Sequence, residues 1–445
     1  MAWEAAAGRV DVTPAVGTPM GGYGISLAGA PRTASGTHAP LLARALVLWN
    51  SGTPWVMVGV DALGWSAAAA TAVRQRITSA TGLPAARLML TATHTHNGPA
   101  LPEVLDPYMS YGLTVPTAID AAQRRISDGV VALVQAVLAG PRTPVTVDYQ
   151  VTSTNFSFNR EGLPYVETAV PVLVARGSNG RPVGVLFGYG THPVAAGVQT
   201  QWDGDYASVA AGAVEAAFPG STALFLLGPA GDQDPSGVRG FPLSSTLGAQ
   251  LGGVVSTAAA VPGRVLTGVG TARLTTVNLP LDVTVTPGNL AAVRDAYQVR
   301  ANTSPLGWEI RHAQTWIDRI NRGVSIATTV PVTLQGWRFT GATALKLAVV
   351  GGELVSGYAV YFRQRQGGTA GLWLGGYGPS LPAYLPSNEL LPPLRTGGSY
   401  AGGWDTDFPG IAGGAMCVYG PIGHFLGGSA GIESALINAL NALLA

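Results

Sequence analysis

The feature that most constrains the fold is a repeated order of short apolar run, polar loop and helical pattern. Three apolar runs have the length of buried strands, and each ends in polar or glycine-rich residues: 87–93, 182–190 and 222–227. Helical patterns follow at 117–138, 206–218 and 244–260. Because alternating strands and helices pack as layers, the sequence predicts an α/β fold of mixed β-sheets layered with helices.

The whole chain, residues 1–445, is predicted to form one catalytic domain, because no linker-like stretch divides it. Ser66 is a predicted N-cap for the Ala-rich helix that ends near Ser79. A helical insertion is predicted at about 286–322, and Gly351-Gly352-Glu353 is expected to lead into a helix over 355–366. Other predicted elements are strands at 8–12, 42–49, 55–60, 328–337 and 344–350 and a closing helix at 429–443.

Charge and cysteine content exclude several classes of protein. The 25 basic and 24 acidic residues give a net charge of +1, which offers no basic surface for nucleic acid. Cys417 is the single cysteine, so an intrachain disulfide and a thiolate metal cluster are both excluded. The expected partner is a small-molecule substrate, and the sequence leaves the formation of homo-oligomers open.

The N-terminus and the hydropathy pattern predict a cytoplasmic protein. The first residues, MAWEA, lack the basic region and apolar core of a secretion signal. Glycine, proline and polar residues interrupt every apolar run before it reaches the length of a spanning helix. Stable membrane association is therefore not expected.

The sharpest chemical signal is the pair His94 and His96 within the run THTHNGP. At an extended strand end, residues two apart point to the same side, so both imidazoles could face one cleft. Neutral imidazole is a common ligand of zinc, although strand-end histidines that only form hydrogen bonds would show the same spacing. His192 ends another apolar run and is the natural third nitrogen. Three histidines lack a polar cluster and are interpreted as structural or surface residues: His38, His312 and His424.

Several short motifs occur in one order along the chain. They are GRVDVTP from Gly8, GGYG from Gly21, THTHNGP from Thr93, THP from Thr191, GDY from Gly204 and GDQDP from Gly231. In this order they resemble the catalytic domain of the neutral or alkaline, non-lysosomal ceramidases and their bacterial relatives. The resemblance extends from Gly8 to about His424. It implies a ceramidase-like fold and a zinc-dependent hydrolase that attacks an amide with a metal-bound water.

The resemblance also implies a set of zinc ligands. They are His94, His192, Glu353 and a tyrosine, for which Tyr384 is the expected residue and Tyr377 the competitor. Two imidazoles, one carboxylate and one phenolic oxygen leave room for a water, whose pKa zinc lowers to roughly 7. The structural alternative for Glu353 is a carboxylate stabilised at a helix start, and for Tyr384 a packed aromatic ring.

Further roles follow from the same resemblance. Asp232 is implied as the general base, with an Asx-turn residue in the glycine-rich loop as the alternative. His96 is implied to contact the substrate in the transition state or to donate a hydrogen bond from behind the metal ligands, and either His96 or Tyr384 to stabilise the oxyanion. Arg160 is implied to bind a substrate oxygen or carboxylate, and its alternative is an ion pair with a neighbouring glutamate.

Two departures argue against ceramide itself as the substrate. Ceramidases have a serine before the proline of the Gly-Asp-x-x-Pro turn, whereas this chain has Asp234. A buried carboxylate there implies substrate binding through an amine or several donors, because an unpaired buried charge is costly. Ceramidases also continue into a β-sandwich module, whereas one helical segment follows Tyr419 here, and a soluble substrate is therefore expected.

The leading prediction is a zinc-dependent amidohydrolase that acts on a linear N-acyl amide or a cyclic amide. An ester or lactone hydrolase with the same metal site is the runner-up, because the two bonds differ mainly in how strongly the leaving group needs a proton. A binding protein that keeps the fold without turnover is the alternative from another class. Its support is the Asp234 substitution.

Overall fold

The computed structural model describes residues 3–23, 31–105, 117–282, 289–342, 344–365, 368–408, 410–419 and 423–445. Its helices are α1 (Ala67–Thr81), α2 (Thr117–Ala139), α3 (Asp205–Ala217), α4 (Phe241–Ala260), α5 (Leu290–Thr303), α6 (Gly307–Asn321), α7 (Gly357–Arg365), α8 (Gly368–Gly371) and α9 (Ile432–Leu444). Its strands are β1 (Trp3–Asp11), β2 (Gly36–Thr37), β3 (Leu42–Asn50), β4 (Thr53–Val60), β5 (Leu88–Ala92), β6 (Thr143–Ser153), β7 (Ser157–Asn159), β8 (Ala169–Gly177), β9 (Pro182–Tyr189), β10 (Gln201–Trp202), β11 (Thr222–Leu227), β12 (Gln233–Pro235), β13 (Arg264–Pro280), β14 (Thr329–Gly341), β15 (Leu345–Val350), β16 (Glu353–Leu354), β17 (Leu372–Gly375) and β18 (Tyr384–Leu385).

Among the described residues, twelve strands form one mixed sheet. Its main path runs β17-β15-β14-β13-β6-β1-β3-β4-β5, and β8, β9 and β11 extend it from β6. Most neighbours are antiparallel, but β4 with β5, β9 with β11 and β15 with β17 are parallel. The smaller sheets pair β10 with β2, β12 with β7 and β16 with β18.

The sheet folds over so that one arm, β1, β3, β4 and β5, packs face to face against a second arm, β8, β9 and β11. Leu46 and Met57 from β3 and β4 share one buried cluster with Leu186 and Leu224 from β9 and β11. Helices cover the outer faces, where α2 contacts β1 and β3, α3 contacts β11, and α9 contacts β13 and β14. Because both faces of β9 and β11 are covered, these strands are almost entirely apolar, as sheets buried on both sides require.

Polar side chains follow the ends of several strands of the large sheet. His94 comes after β5, His192 after β9 and Asp232 after β11. Glu353 comes after β15, and Tyr377 after β17. Loops at the carboxyl ends of strands are where α/β folds commonly place functional groups. The fold therefore brings residues from distant parts of the sequence toward one site.

The predicted α/β fold of mixed sheets layered with helices is confirmed. The helix predicted over 355–366 is α7, which begins at Gly357. The structural alternative for Glu353, a carboxylate at a helix start, is wrong, because Glu353 lies in β16. Helices α5 and α6 occupy the predicted insertion, of which residues 286–288 lie outside the described part, as does residue 366 at the predicted end of α7. The single-domain organisation stays a prediction. Within the described residues, no helix is long and apolar enough to span a membrane.

Candidate metal centre

Three imidazoles converge in the interior of the protein. The Nε2 atoms of His94 and His192 are 3.1 Å apart, and His96 Nε2 lies 3.2 Å from each of them. His94 and His192 are fully buried, and His96 is partly buried. Three nitrogen atoms grouped in this way could hold a metal ion.

The outer nitrogen atoms show which way the imidazole lone pairs point. His94 Nδ1 lies 2.6 Å from the carbonyl oxygen of Leu63, and His192 Nδ1 lies 3.2 Å from that of Ala230. A carbonyl oxygen only accepts, so each Nδ1 carries the hydrogen and each Nε2 of the neutral ring presents a lone pair. Burial lowers the pKa of both His96 and His192 well below the ordinary value, with nearby arginines adding to it. Facing lone pairs repel each other unless a cation lies between them.

Glu353 adds an oxygen to the same cluster. Its Oε2 lies 3.4 Å from His94 Nε2 and 3.7 Å from His192 Nε2. Its Oε1 accepts a hydrogen bond of 2.5 Å from the hydroxyl of Tyr419, while Oε2 is buried without a hydrogen-bond partner among the described residues. Tetrahedral zinc bonds of this kind separate neighbouring donor atoms by about 3.3 Å. The donor set and its spacing therefore fit a zinc ion.

The local backbone that presents His94 differs from the expected one. Strand β5 ends at Ala92, and His94 has a φ of 65°, in the left-handed region. The argument from alternating positions of an extended strand is therefore wrong, although both imidazoles do reach one cluster. Gly22, with a φ of 93°, lies against His96, and a Cβ at that glycine would come within 2.5 Å of the His96 ring. A glycine is required there for the ring to keep its place.

A short parallel pairing positions the carboxylate. Strand β16 pairs with β18, which places Glu353 beside Tyr384 in register. The Glu353 N–H donates to the carbonyl of Ala383 at 2.9 Å. Two residues of strand thus fix the backbone from which Glu353 reaches the imidazoles.

Three tyrosines surround the cluster. The Tyr377 ring packs 4.5 Å from that of His94, and its buried hydroxyl has no hydrogen-bond partner among the described residues. The Tyr384 hydroxyl accepts a 2.9 Å hydrogen bond from Arg160. Tyr419, which the sequence analysis gave no role, donates to Glu353. Its position just before a Gly-Pro pair is the only sequence signal that marks it.

Asp232 lies on the neighbouring glycine-rich loop, inside the protein. Its Oδ1 accepts from the Ser356 N–H at 2.7 Å, and its Oδ2 accepts from the Ser356 hydroxyl at 2.6 Å and from Asn159 Nδ2 at 2.9 Å. Burial raises the pKa of Asp232 above its ordinary value, and these hydrogen bonds oppose the rise. The carboxylate therefore links its own loop to the segment that follows Glu353.

Arg160 and Asp234 meet beside the cluster. Arg160 Nη1 lies 3.3 Å from Asp234 Oδ1, and Arg239 Nη2 lies 2.5 Å from Asp234 Oδ2. The glutamates near Arg160 in sequence pair with other arginines, Glu161 with Arg395 and Glu167 with Arg363. Asp234 is therefore neutralised by the protein's own guanidinium groups. Arg239 was not predicted, since nothing in the neighbouring sequence marks it.

The other histidines lie outside this cluster. His38 is partly exposed and binds Asp203 at 2.8 Å, and His312 is buried beside Trp316, whose Nε1 donates to it. His424 is buried, is not one of the three converging histidines, and has its Nδ1 3.3 Å from the carbonyl oxygen of Phe425. Their placement agrees with the structural interpretation made from the sequence.

Comparisons with known proteins bear on the fold. No protein-family model and no curated protein sequence matches this chain. A solved structure of a ceramidase complexed with C2 superposes with a TM-score of 0.65 at 18% identity, covering 94% of this chain and 73% of its own. The neutral ceramidase from Pseudomonas aeruginosa gives a TM-score of 0.64 at 18% identity, covering 95% of this chain and 72% of its own. This chain therefore has the fold of the neutral ceramidases.

Proposed function

We propose that this protein is a zinc-dependent hydrolase that cleaves an amide bond in a small molecule, either a linear N-acyl amide or a cyclic amide. The observation that carries the proposal is the buried convergence of three imidazole nitrogens and the free Oε2 of Glu353. Neutral imidazole and carboxylate are the donors that catalytic zinc sites use. The fold adds support, because the two solved structures named above, which share it, are ceramidases.

His94, His192 and Glu353 would hold the ion. Each has its outer atom fixed by the protein: Leu63 holds His94, Ala230 holds His192 and Tyr419 holds Glu353. Fixed outer atoms of this kind orient metal ligands. When bound, zinc supplies a Lewis acid that polarises a carbonyl and lowers the pKa of a water to roughly 7.

His96 is proposed to face the substrate. Its Nδ1 is buried and has no hydrogen-bond partner within the described residues, so its ring lacks the support that the two other imidazoles have. That nitrogen is available to a substrate oxygen, while Nε2 of the same ring faces the cluster. This proposal agrees with the substrate contact that the family resemblance implies for His96.

Arg160 and Tyr384 are proposed to bind the reacting carbonyl. Arg160 donates to the Tyr384 oxygen, which leaves the phenolic hydrogen to point elsewhere. That hydrogen can be donated to an oxygen that gains negative charge in the transition state. Tyr384 also remains the proposed fourth ligand, and these two roles exclude each other at any one moment.

Asp232 is proposed as the base that takes a proton and returns it to the leaving amine. A carboxylate has about four acceptor positions, and three hydrogen bonds occupy the carboxylate of Asp232. One position remains to accept a proton. A leaving amine needs that proton more than a leaving alcohol does, which favours an amide over an ester.

The first test is metal content. Purified wild-type protein is expected to contain about one zinc per chain, and His94→Ala and His192→Ala to lose it together with hydrolytic activity. His38→Ala serves as the matched control, because His38 pairs with Asp203 outside the cluster. Elemental analysis and a chelator titration provide the measurement. A folded wild-type protein that binds no metal under these conditions would favour the binding-protein alternative.

The second test is a substrate panel of N-acyl amides, cyclic amides and esters, each with and without chelator. Turnover of one or more amides that stops on zinc removal and returns on zinc addition is expected. If only esters were hydrolysed, the amidase assignment would be abandoned, and the proposed metal centre would be retained.

A further inference from the structure

A groove lies between helix α1 and the exposed face of strands β13 and β14. Its volume is about 640 Å³. Arg74 and Thr71 of α1, Thr275 of β13 and Thr333 of β14 line it, together with Ser380. None of the residues that line the groove is a histidine, tyrosine or acid of the candidate metal centre. Ligand pockets in proteins commonly enclose about 300 to 1,000 Å³.

Arg74 is the one charged side chain among the described residues of the groove. Only 7% of its surface is exposed. Its Nη2 donates to the Gln335 side-chain oxygen at 3.2 Å, and its buried Nε has no hydrogen-bond partner among the residues described. Gln335 is neutral, and its amide nitrogen is already used by the carbonyls of Ala86 and Leu88. The guanidinium of Arg74, which lines the groove, therefore keeps donors that no described residue uses.

Other buried arginines of the described chain have carboxylate partners. Arg44 pairs with Asp61, Arg176 with Asp148 and Arg300 with Asp405. No carboxylate of the described residues pairs with Arg74. Burial lowers the pKa of Arg74 to about 10, and no charged neighbour offsets that effect. Burying a cation without a counter-charge is costly, and an anion in the groove would remove that cost.

We propose that the groove binds an organic oxyanion, with its carboxylate or phosphate head on Arg74 and its apolar body along α1. Guanidinium recognises both heads through paired, charge-assisted hydrogen bonds. Ala67, Ala70, Leu274 and Pro379 supply an apolar wall for the rest of the ligand. The volume suits a small organic molecule better than a single inorganic ion.

Thermal unfolding with three matched probes tests the proposal: benzoate, phenyl phosphate and neutral benzyl alcohol at constant ionic strength. At a hundredfold excess over Kd, a bound anion should raise the unfolding midpoint by roughly 2 to 5 °C. Arg74→Gln is expected to lose this shift. Arg76→Gln is the control, because Arg76 lies on the same helix, is half-exposed and pairs with Asp128. It should keep the full shift.

A second variant protects the test against loss of folding in Arg74→Gln. Thr71 is exposed at the groove, and Thr71→Trp should block the groove while Arg74 stays in place. It should also abolish the shift, and equilibrium dialysis of labelled benzoate should show about one site on wild-type protein and none on either variant. A shift with only one of the two anions identifies the head group. Equal shifts in wild type and Arg74→Gln, no shift with either anion, or a full shift with benzyl alcohol would overturn the proposal.

Discussion

Asp232 is buried, and hydrogen bonds fix the orientation of its carboxylate. Its carboxylate is fully buried, and Ser356 and Asn159 hold it in one orientation through three hydrogen bonds. Fixed orientation is what proton transfer needs, because the base must already point at its partner in the transition state. The same contacts give Asp232 a structural role in joining two loops.

Asp232→Asn separates these two roles. An amide cannot accept the proton, so kcat should fall by roughly 10² to 10⁴-fold while the zinc content stays at the wild-type level. Steady-state kinetics and elemental analysis on the same preparation provide the measurement. Ser356→Ala is the control, because it removes one donor and leaves the carboxylate. If Asp232→Asn kept full activity, Asp232 would have no part in proton transfer.

The pH profile gives an independent check on the same carboxylate. Because burial raises the pKa of Asp232 above 3.8, the proposed base should gain its proton and lose function as the pH falls through that higher value. The acid limb of kcat/KM should therefore lie above 3.8, and the residual activity of Asp232→Asn should lack that limb. A limb that persists in the variant would have to come from another group.

Sequence reasoning identified most side chains of the centre but not their geometry. The motifs single out His94, His192 and Glu353, and the structure brings these three side chains together, since residue type and order are visible in a sequence. The left-handed backbone of His94 cannot be read from the sequence, because it depends on hydrogen bonds to a neighbouring loop. Arg239 was missed because its role depends on tertiary structure. It pairs with Asp234, which also pairs with Arg160 from a distant part of the chain.

Helix α1 shows a local signal that predicts an element boundary. The predicted cap is confirmed, because the Ser66 side chain accepts from the Ala69 N–H at 3.1 Å and α1 begins at Ala67. Capping is decided by neighbouring residues, which is why a sequence can show it.

Ser66→Ala should destabilise the protein by about 1 kcal/mol, because it leaves one first-turn N–H without its acceptor. Urea unfolding followed by circular dichroism measures the change in the free energy of unfolding. Ser79→Ala, at an exposed position near the other end of the same helix, should change it by much less. Equal effects of the two variants would show that the cap contributes nothing.

Strands that depend on distant partners were predicted poorly. Strand β13 has 17 residues, most of them exposed or partly exposed, so its apolar alternation is weak. It exists because β14 pairs along nearly its whole length. Strand β16 is only two residues long and needs β18 beside it. In both cases the stabilising contact lies outside the window that a local pattern can reveal.

At the scale of the molecule, helix α9 closes the outer face of the sheet beside β13 and β14. Leu440 of this helix is fully buried. Leu440→Ala should lower the free energy of unfolding by roughly 2 to 5 kcal/mol, because it removes buried methyl groups and leaves a cavity. Chemical denaturation provides the measurement, and Ala442→Gly on the same helix gives a control for helix propensity. A change below 0.5 kcal/mol would mean that α9 is loosely packed.

The layered architecture could be predicted in class but not in arrangement. Runs of buried strand and helix indicate layers, and the order of the motifs indicates the ceramidase fold. The face-to-face packing of the two arms is set by contacts between distant strands, such as β3 with β11 and β1 with β9, which no single run contains. Local sequence patterns therefore predict which layers are present, and tertiary contacts determine how the layers pack.

The pairing of β16 with β18 has a consequence for biosynthesis. A ribosome releases His94, His96 and His192 well before it releases Glu353, and Tyr384 and Tyr419 emerge later still. An early nascent chain thus displays nitrogen donors without their acidic companion. The cluster is therefore complete only after β16, which carries Glu353, has been made and has paired with β18.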